Sequence, residues 1–368
     1  MRSVLNRIEE VQSVQLSPYA DVYTLTFRPG VTPNEAMVRK VFKGCAFTGR
    51  TVEFLDDPDA PRAAPDAPPA NVATTARVAL GKRLFMDKRL SADGNTACLT
   101  CHQSERAFTN GRAAATGVRG REMLRNVPTL FNVGYRQTIF WDGHAETLEK
   151  MAFGALKHPA VMDLTPDELS KRLRSIPEYA ESFRLEYGEA PTAESFSLAL
   201  AAYMRSLLSD DTPFDRFARG DSSAIGESAL RGWKVFCDKA NCITCHAGPD
   251  FTDEEFRTIG IGWNGKAYAD LGRAAITGES NYAGMFRVPT LRELRWTAPY
   301  MHDGSLKTLA EVVDHYDRGG TEGAPTDLKG PLKLTAEEKK DLVAFLESLS
   351  STKKTAKLPD AVVALGSR

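Results

Sequence analysis

This sequence of 368 residues lacks the features that mark several large classes of protein. It has no stretch approaching the ~20 apolar residues that a membrane-spanning helix needs. Its formal net charge is −1, so no charge excess indicates binding to nucleic acid or to an anionic membrane. Six cysteines are present, and two short segments account for four of them. The composition is that of a globular protein of two or three domains.

Those two segments are copies of one pentapeptide, CLTCH at 98–102 and CITCH at 242–246. C-x-x-C-H is the attachment motif of c-type haem: the thiols add to the haem vinyl groups and the histidine reaches the iron. A zinc site would need further Cys/His pairs at short spacing, and a dithiol redox site would need a preceding strand. Neither flank has these features. We therefore expect two covalently bound haem c groups, held by Cys98, Cys101 and His102 and by Cys242, Cys245 and His246.

The other two cysteines are Cys45 and Cys237. For each we expect the role of a small buried hydrophobe, and a disulfide between them stays open.

Residues 1–56 predict a small α/β unit with the order α-β-β-α-β. Its helices are expected at 4–10 and about 32–42, and its strands at 14–16, 22–27 and 51–55. The order resembles a heavy-metal-associated domain, a ferredoxin-like fold, without its first strand and its metal-binding Cys pair. The resemblance therefore implies the fold and no metal site.

The chain after the Pro/Ala-rich segment at 57–75, a predicted linker, has few strand signals, so we expect a mainly α body. We predict one domain at 76–220, a second at 221–351 and a loose tail at 352–368. The polar segment 210–221 is the expected boundary. Helices are predicted at 78–85, from Thr165, and at 193–207, 228–236, 307–316 and 335–349.

Several sequence blocks from about 76 to 350 resemble the dihaem cytochrome c peroxidase/MauG family. In chain order, these blocks are LGKRLF at 80–85, RLS at 89–91, RNVPTL at 125–130, FWDG at 140–143, VPTL at 288–291 and TAPYMHDG at 297–304.

This resemblance implies a fold of two cytochrome c domains. The first would hold the peroxidatic haem on His102 and the second the electron-transfer haem on His246. Trp141 matches the family's inter-haem tryptophan, a relay for an electron or hole. Asn126, Thr297 and Pro299 fall where the family binds calcium through one side-chain oxygen and two backbone carbonyls, and oxygen ligands suit that cation.

Tyr316 stands where ordinary peroxidases of the family carry a methionine ligand to the second haem, and the MauG branch has tyrosine there. An anionic phenolate favours high-valent iron, whereas a thioether raises the reduction potential. The resemblance therefore implies that Tyr316 is an axial ligand. Simple packing of Tyr316 or of its neighbour His315 is the alternative.

The first haem pocket departs from the family. No histidine lies between His102 and Arg125, so the histidine that blocks the resting family haem is missing and we expect an open site. Met151 and Val161 stand in place of the family's glutamine and acid/base glutamate, and Ala155 in place of a proline. Cleavage of peroxide needs a group that moves a proton between its oxygens. Candidates are His144 and His158, although His158 is as well explained as an exposed loop residue. Met151 could instead ligate the iron and close the site.

The MauG branch carries a tryptophan two residues before its second haem motif. In this sequence the corresponding residue is Ala240. Trp233, Trp263 and Trp296 are possible replacements, and core packing explains each of them as well.

We therefore expect a MauG-like dihaem enzyme that uses H₂O₂ to form high-valent haem iron and oxidises a partner protein or a small electron donor. The alternative is a non-peroxidatic dihaem electron carrier or redox sensor. A metal-handling role is a third reading, against which the missing Cys pair argues. Haem is attached outside the cytoplasm in bacteria, so we expect a periplasmic protein. The opening residues contain no apolar export segment, which indicates a processed form or a start placed too late. The sequence names neither the substrate nor the oligomeric state.

Overall fold

The computed structural model describes residues 71–352, two short strands at 11–16 and 23–27, and residues 65 and 67–68. The strands β1 (Val11–Leu16) and β2 (Tyr23–Phe27) pair antiparallel, with Val14 opposite Leu25. Both were expected from the alternating pattern. The remaining predicted elements of the N-terminal unit lie outside the described residues, as do Cys45 and the tail from 353, so the resemblance to a heavy-metal-associated domain stays a prediction.

The rest of the described chain is mainly helical, as the sequence predicts. One further pair of short strands is present, β3 (Phe256–Arg257) with β4 (Phe286–Arg287). No helix in the described ranges combines the length and the apolar character needed to cross a membrane. The helices are α1 (Thr75–Met86), α2 (Cys98–Cys101), α3 (Leu148–Lys157), α4 (Pro166–Arg174), α5 (Pro177–Tyr187), α6 (Ala193–Arg205), α7 (Pro213–Ala218), α8 (Glu227–Cys237), α9 (Ala274–Thr277), α10 (Leu309–Asp317) and α11 (Ala336–Ser348).

Threonine caps fix where several helices begin. At α4, the Thr165 hydroxyl accepts a hydrogen bond from the Glu168 backbone N–H, and the Glu168 carboxylate accepts one from the Thr165 N–H. Thr335 and Glu338 make the same reciprocal pair at α11. Each such cap stabilises its helix by about 1 kcal/mol. The helix starts expected at Thr165 and Thr335 are confirmed.

The first core forms where α1 packs against α6. Gly81 of α1 lies so close to α6 that a Cβ there would come within 2.0 Å of the Ala199 carbonyl oxygen. Only glycine permits this separation of the two helices. Around the crossing lies a cluster of buried apolar side chains that includes Leu84, Phe85 and Phe196.

The second core is built in the same way, from α8 and α11. A Cβ at Gly232 of α8 would lie 1.9 Å from the Asp341 carbonyl oxygen of α11. Fully buried rings, Phe214, Phe236 and Phe345, fill the space beside this crossing.

Two observations differ from the domain boundaries drawn from sequence. Phe214 of α7 packs in the second core, so α7 belongs with that core although the sequence assigned it to the first domain. Asn71 lies inside the predicted linker and yet is completely buried. Its side-chain amide donates hydrogen bonds to Glu149 and to the Leu198 carbonyl, which hold it against the first domain. Helix α1 also begins within that segment, at Thr75.

Candidate active site

The first C-x-x-C-H motif forms a single tight helical turn, α2, which ends at His102. The His102 backbone N–H donates to the Cys98 carbonyl at 2.8 Å, and the Thr100 hydroxyl accepts from the Ala97 N–H at 2.9 Å. The imidazole Nδ1 lies 2.8 Å from the Phe108 carbonyl oxygen. A carbonyl only accepts hydrogen bonds, so Nδ1 carries the proton and Nε2 is free to bind a metal.

The second motif repeats this arrangement. The His246 N–H donates to the Cys242 carbonyl at 2.9 Å, and its Nδ1 lies 2.9 Å from the Phe251 carbonyl oxygen. Burial lowers the pKa of both His102 and His246, which keeps the imidazoles neutral. Both histidines are therefore oriented and protonated as haem ligands must be.

Residues that the sequence did not single out hold these histidines. The accepting carbonyls belong to Phe108 and Phe251, which adopt left-handed backbone conformations with φ of 60° and 52°. Bulky residues rarely adopt this conformation unless their surroundings impose it. The hydroxyls of Thr129 and Thr290 help to do so, because they donate to the carbonyls of the preceding residues, Ala107 and Asp250, each at 2.7 Å. The signal in the sequence was the repeated V-P-T-L at 127–130 and 288–291.

Both motifs open into one cavity of about 1250 Å³. Pockets for a single small ligand or cofactor span roughly 300–1,000 Å³, so this cavity exceeds the usual size for one group. The motif cysteines on its wall are free thiols. Burial raises the pKa of Cys98 and of Cys242 to about 12, as expected for thiols that face an apolar space. The residues present fit two haem groups attached through these thiols.

Tyr316 lies on the wall of this cavity, on helix α10. Burial, together with the nearby Cys242 and Cys245, raises the pKa of its phenol. The adjacent His315 is oriented differently: it is buried and its Nε2 lies 2.9 Å from the Ile259 carbonyl oxygen. Within the described part of the chain, no group makes a hydrogen bond to the Tyr316 hydroxyl. Of these two neighbours, Tyr316 is therefore the one available as a ligand.

Trp141 also lines the cavity and is fixed from both domains. Its indole N–H donates to the Asn126 carbonyl at 2.9 Å, and its own carbonyl accepts from the backbone N–H of Arg287 in β4 at 2.8 Å. The ring meets His302 edge-on, with 6.5 Å between centroids.

Asn126, Thr297 and Pro299 line the same cavity. The Asn126 backbone N–H donates to the His302 carbonyl at 2.7 Å, which holds Asn126 beside the turn at 297–302. The Asn126 side-chain amide donates to the Arg112 carbonyl at 2.9 Å. Among the described residues, nothing donates to the Asn126 side-chain oxygen or to the carbonyl oxygens of Thr297 and Pro299. No cluster of three or more His, Cys, Asp or Glu suited to a metal ion occurs in the same ranges.

Comparison with known proteins agrees with this geometry. A family model described as di-haem cytochrome c peroxidase matches residues 75–223, and one described as cytochrome c matches 229–350. The chain is 40% identical over 299 residues to the methylamine utilization protein MauG of Methylorubrum extorquens strain AM1, covering 79% of this chain and 83% of MauG. It is 36% identical over 324 residues to the cytochrome-c peroxidase IdrP1 of Pseudomonas sp. strain SCT, covering 80% and 86%.

The chain belongs to the di-haem cytochrome c peroxidase family. It is a dihaem peroxidase-type oxidoreductase, and its two cytochrome domains imply covalently bound haem c. Its fold also matches the crystal structure of a MauG-like protein associated with microbial copper homeostasis. That match has a TM-score of 0.75 and 32% identity, and covers 82% of this chain and 97% of the other.

The residues that the sequence analysis predicts to differ from the family pattern lie on the wall of this cavity. Met151, Val161, His158 and His144 all line the cavity. Met151, on α3, and Val161 are half-buried and pack against the first core. His158 follows the last residue of α3 and is exposed, and its Nδ1 accepts from the Ala160 N–H at 3.1 Å.

The tryptophans considered as replacements for the missing one are engaged in packing. Trp233 packs among the rings of the second core, with its centroid 5.1 Å from that of Phe345. Trp263 meets Tyr268 edge-on, and the Trp296 indole donates to the Ser351 carbonyl at 3.1 Å.

Proposed function

We propose that this peroxidase works in the manner of the MauG branch. It reacts with H₂O₂ at the His102 end, shares oxidising equivalents between both ends through Trp141, and takes electrons from a partner protein or a small donor. When bound, haem supplies the redox chemistry of these steps. The observation that carries the proposal is Tyr316, which stands on the cavity wall beside the second attachment motif.

Tyr316, as a ligand, would set the reduction potential of the haem bound at the second motif. A phenolate is a hard anionic ligand that stabilises oxidised iron, whereas a thioether favours the reduced state. The pKa of Tyr316 is raised by burial and by the neighbouring thiols, so the side chain keeps its proton until a cation replaces it. Within the described ranges the Tyr316 hydroxyl has no hydrogen-bond partner, which supports its role as a ligand.

The two histidines and Trp141 are the other working parts. The Phe108 and Phe251 carbonyls hold Nδ1 of His102 and His246, which fixes the imidazole planes and leaves Nε2 for iron. Trp141 is hydrogen-bonded to Asn126 of one domain and to Arg287 of the other, so its ring keeps one position between the two ends. A fixed aromatic ring there suits the passage of an electron or a hole.

We also propose a calcium ion at Asn126, Thr297 and Pro299. Three oxygens at this point of the cavity wall lack a donor among the described residues, and Ca²⁺ takes side-chain and carbonyl oxygens as ligands. An ion there would link the Trp141 region to the 297–302 turn.

The oxidised partner and the compartment complete the proposal. Covalent attachment of haem to both motifs supports a periplasmic enzyme that meets an exported partner. The relatives point to different settings, methylamine utilization for one and copper homeostasis for another, so we propose an electron-donating protein without naming it.

The test is an optical and EPR titration of the purified ferric holoprotein with stoichiometric H₂O₂. We expect a high-spin first haem that converts to a long-lived oxidised form involving both haems. Tyr316→Met should shorten the lifetime of that form at least tenfold and raise the potential of the second haem. Tyr316→Phe, which removes only the oxygen, should also lose the long-lived form.

Tyr300→Phe is the matched control. Tyr300 lines the same cavity, but its hydroxyl donates to the Leu294 carbonyl at 2.8 Å and is engaged there. We expect this variant to keep the long-lived form. Two low-spin haems that do not react with peroxide would contradict the proposal and favour an electron carrier. The presence of Val161 where the family resemblance implies an acid/base glutamate supports that alternative.

A further inference from the structure

The cavity wall carries a histidine–carboxylate pair, His144 with Asp142. The two side chains are joined by a 2.6 Å contact between His144 Nδ1 and Asp142 Oδ1. An ionised carboxylate only accepts hydrogen bonds, so Nδ1 carries a proton. In the neutral ring Nε2 is then the basic nitrogen, and no described group occupies it. The His144 side chain is 45% exposed, which lets it exchange protons with water.

Asp142 is itself held in place and kept ionised. Arg125 donates to its second oxygen at 2.6 Å and binds Asp270 of the other domain through two further bonds of 2.6 and 2.9 Å. Burial alone would raise the pKa of Asp142, but the hydrogen bonds from His144 and Arg125 outweigh it and lower this pKa to about 2. The carboxylate therefore orients the imidazole throughout the neutral range.

The His144 ring is linked to the first core through Phe140. It stacks on Phe140 with 4.1 Å between centroids and 10° between planes. Phe140 packs against the first core, as do Met151 and Val161. A bridge between Ile139 and Ala145 closes the loop that carries Phe140 and His144, and Phe140 has a strained φ of 72°. The same short loop thus presents both Trp141 and His144 to the cavity.

We infer that His144, oriented by Asp142, is the acid/base residue that moves a proton between the two oxygens of H₂O₂. This inference rests on the proposed reaction with peroxide. Nε2 takes the proton from one oxygen and returns it to the other. The O–O bond breaks with both its electrons on that second oxygen, which leaves as water. The remaining oxygen becomes a second water by taking up two electrons and two protons. The haem irons, when bound, would provide those two electrons, and the external donor would replace them.

His158 is the rival for this role and differs in one respect. Its Nδ1 accepts a hydrogen bond from the backbone N–H of Ala160, and among the described residues no carboxylate is bonded to its ring. Val161 has no proton to move.

The test is the second-order rate constant for H₂O₂, measured by stopped-flow absorbance on holoprotein with full haem content. General acid–base groups contribute about 10²–10⁴-fold. We therefore expect His144→Gln to slow the reaction by at least 100-fold and His158→Gln by only a few-fold. A His144→Gln rate equal to that of the wild type would overturn the inference while leaving the proposed function intact. A wild type inert to peroxide would overturn both.

Asp142→Asn tests the positioning role and serves if His144→Gln does not take up haem. The charged groups joined to this pair are Arg125, which bonds Asp142, Asp270, which bonds Arg125, and Arg273, which donates to the Asp142 backbone carbonyl. Loss of the carboxylate should slow the reaction with H₂O₂ in the wild-type background but cause no further loss in the His144→Gln background, because Asp142 acts through His144. Asp270→Asn, which leaves the contact between Asp142 and His144 in place, should slow the reaction far less. An equal loss of rate from Asp142→Asn in both backgrounds would mean a purely structural role.

Discussion

The regions around the two attachment motifs, the two ends of the cavity, have the same arrangement on the side of the motif histidine and different residues on the opposite wall. At each end a helix crossing closes on a glycine, Gly81 or Gly232. At each end a V-P-T-L threonine braces the residue before a left-handed phenylalanine. The carbonyl of that phenylalanine then orients the haem histidine.

The opposite walls have no such correspondence. The second end presents Tyr316, while the first presents Met151, Val161 and the His144–Asp142 pair. The shared side carries the attachment motif and its oriented histidine, and under the function proposed above the divergent side sets the different roles of the two ends.

The largest effect should come from the helix crossings. Gly81→Ala and Gly232→Ala each push a Cβ to about 2 Å from a backbone oxygen, and overpacking of this kind costs about 1–3 kcal/mol or more. If the two cores are equivalent, both variants should lower the guanidinium midpoint to a similar extent.

Gly330→Ala is the control for this pair, because a Cβ at that glycine meets nothing within 4 Å. A stability unchanged in either crossing variant would show that the corresponding helices separate at no cost, and the comparison of the two cores would fail.

A smaller effect should come from the bracing threonines. Thr129→Val and Thr290→Val keep the side-chain shape but each remove two hydrogen bonds, each worth about 0.5–1.5 kcal/mol. One is donated to the Ala107 or Asp250 carbonyl, and the other is accepted from the backbone N–H of Phe131 or Arg292. Each variant should also shift the reduction potential of its own haem and leave the other unchanged, as a spectroelectrochemical titration would record. Because the sites share no partner, the double variant should show the sum of both stability losses. A single substitution that moves both potentials would contradict independent ends.

The smallest effect should come from the divergent wall itself. Met151→Leu conserves volume, so its stability loss should stay below about 1.5 kcal/mol. If Met151 only packs against the first core, the EPR spectrum of the first haem should be unchanged. A low-spin signal that becomes high-spin in this variant would instead identify Met151 as a ligand that closes the site.

Local sequence patterns predicted many features of this protein. The helices from Thr165 and Thr335 were predicted because capping residues and apolar spacing are local signals. The haem attachment residues could be predicted because each motif lies within five consecutive positions. The limits of the two domains were harder to predict from sequence. Phe214 sits in a polar segment that resembles a linker, and only its contacts with distant helices assign it to the second core.

The residue pattern by itself determined that this chain carries two haem attachment sites on a mainly helical body. The resemblance to the family added the prediction that Tyr316 is an axial ligand. Tertiary structure alone decided which carbonyls orient His102 and His246, and which histidine on the first wall has a carboxylate partner. These depend on left-handed turns, and on side chains such as Arg125 and Asp270 that meet across the two domains. No local pattern encodes such meetings, because they arise only when separate segments pack together.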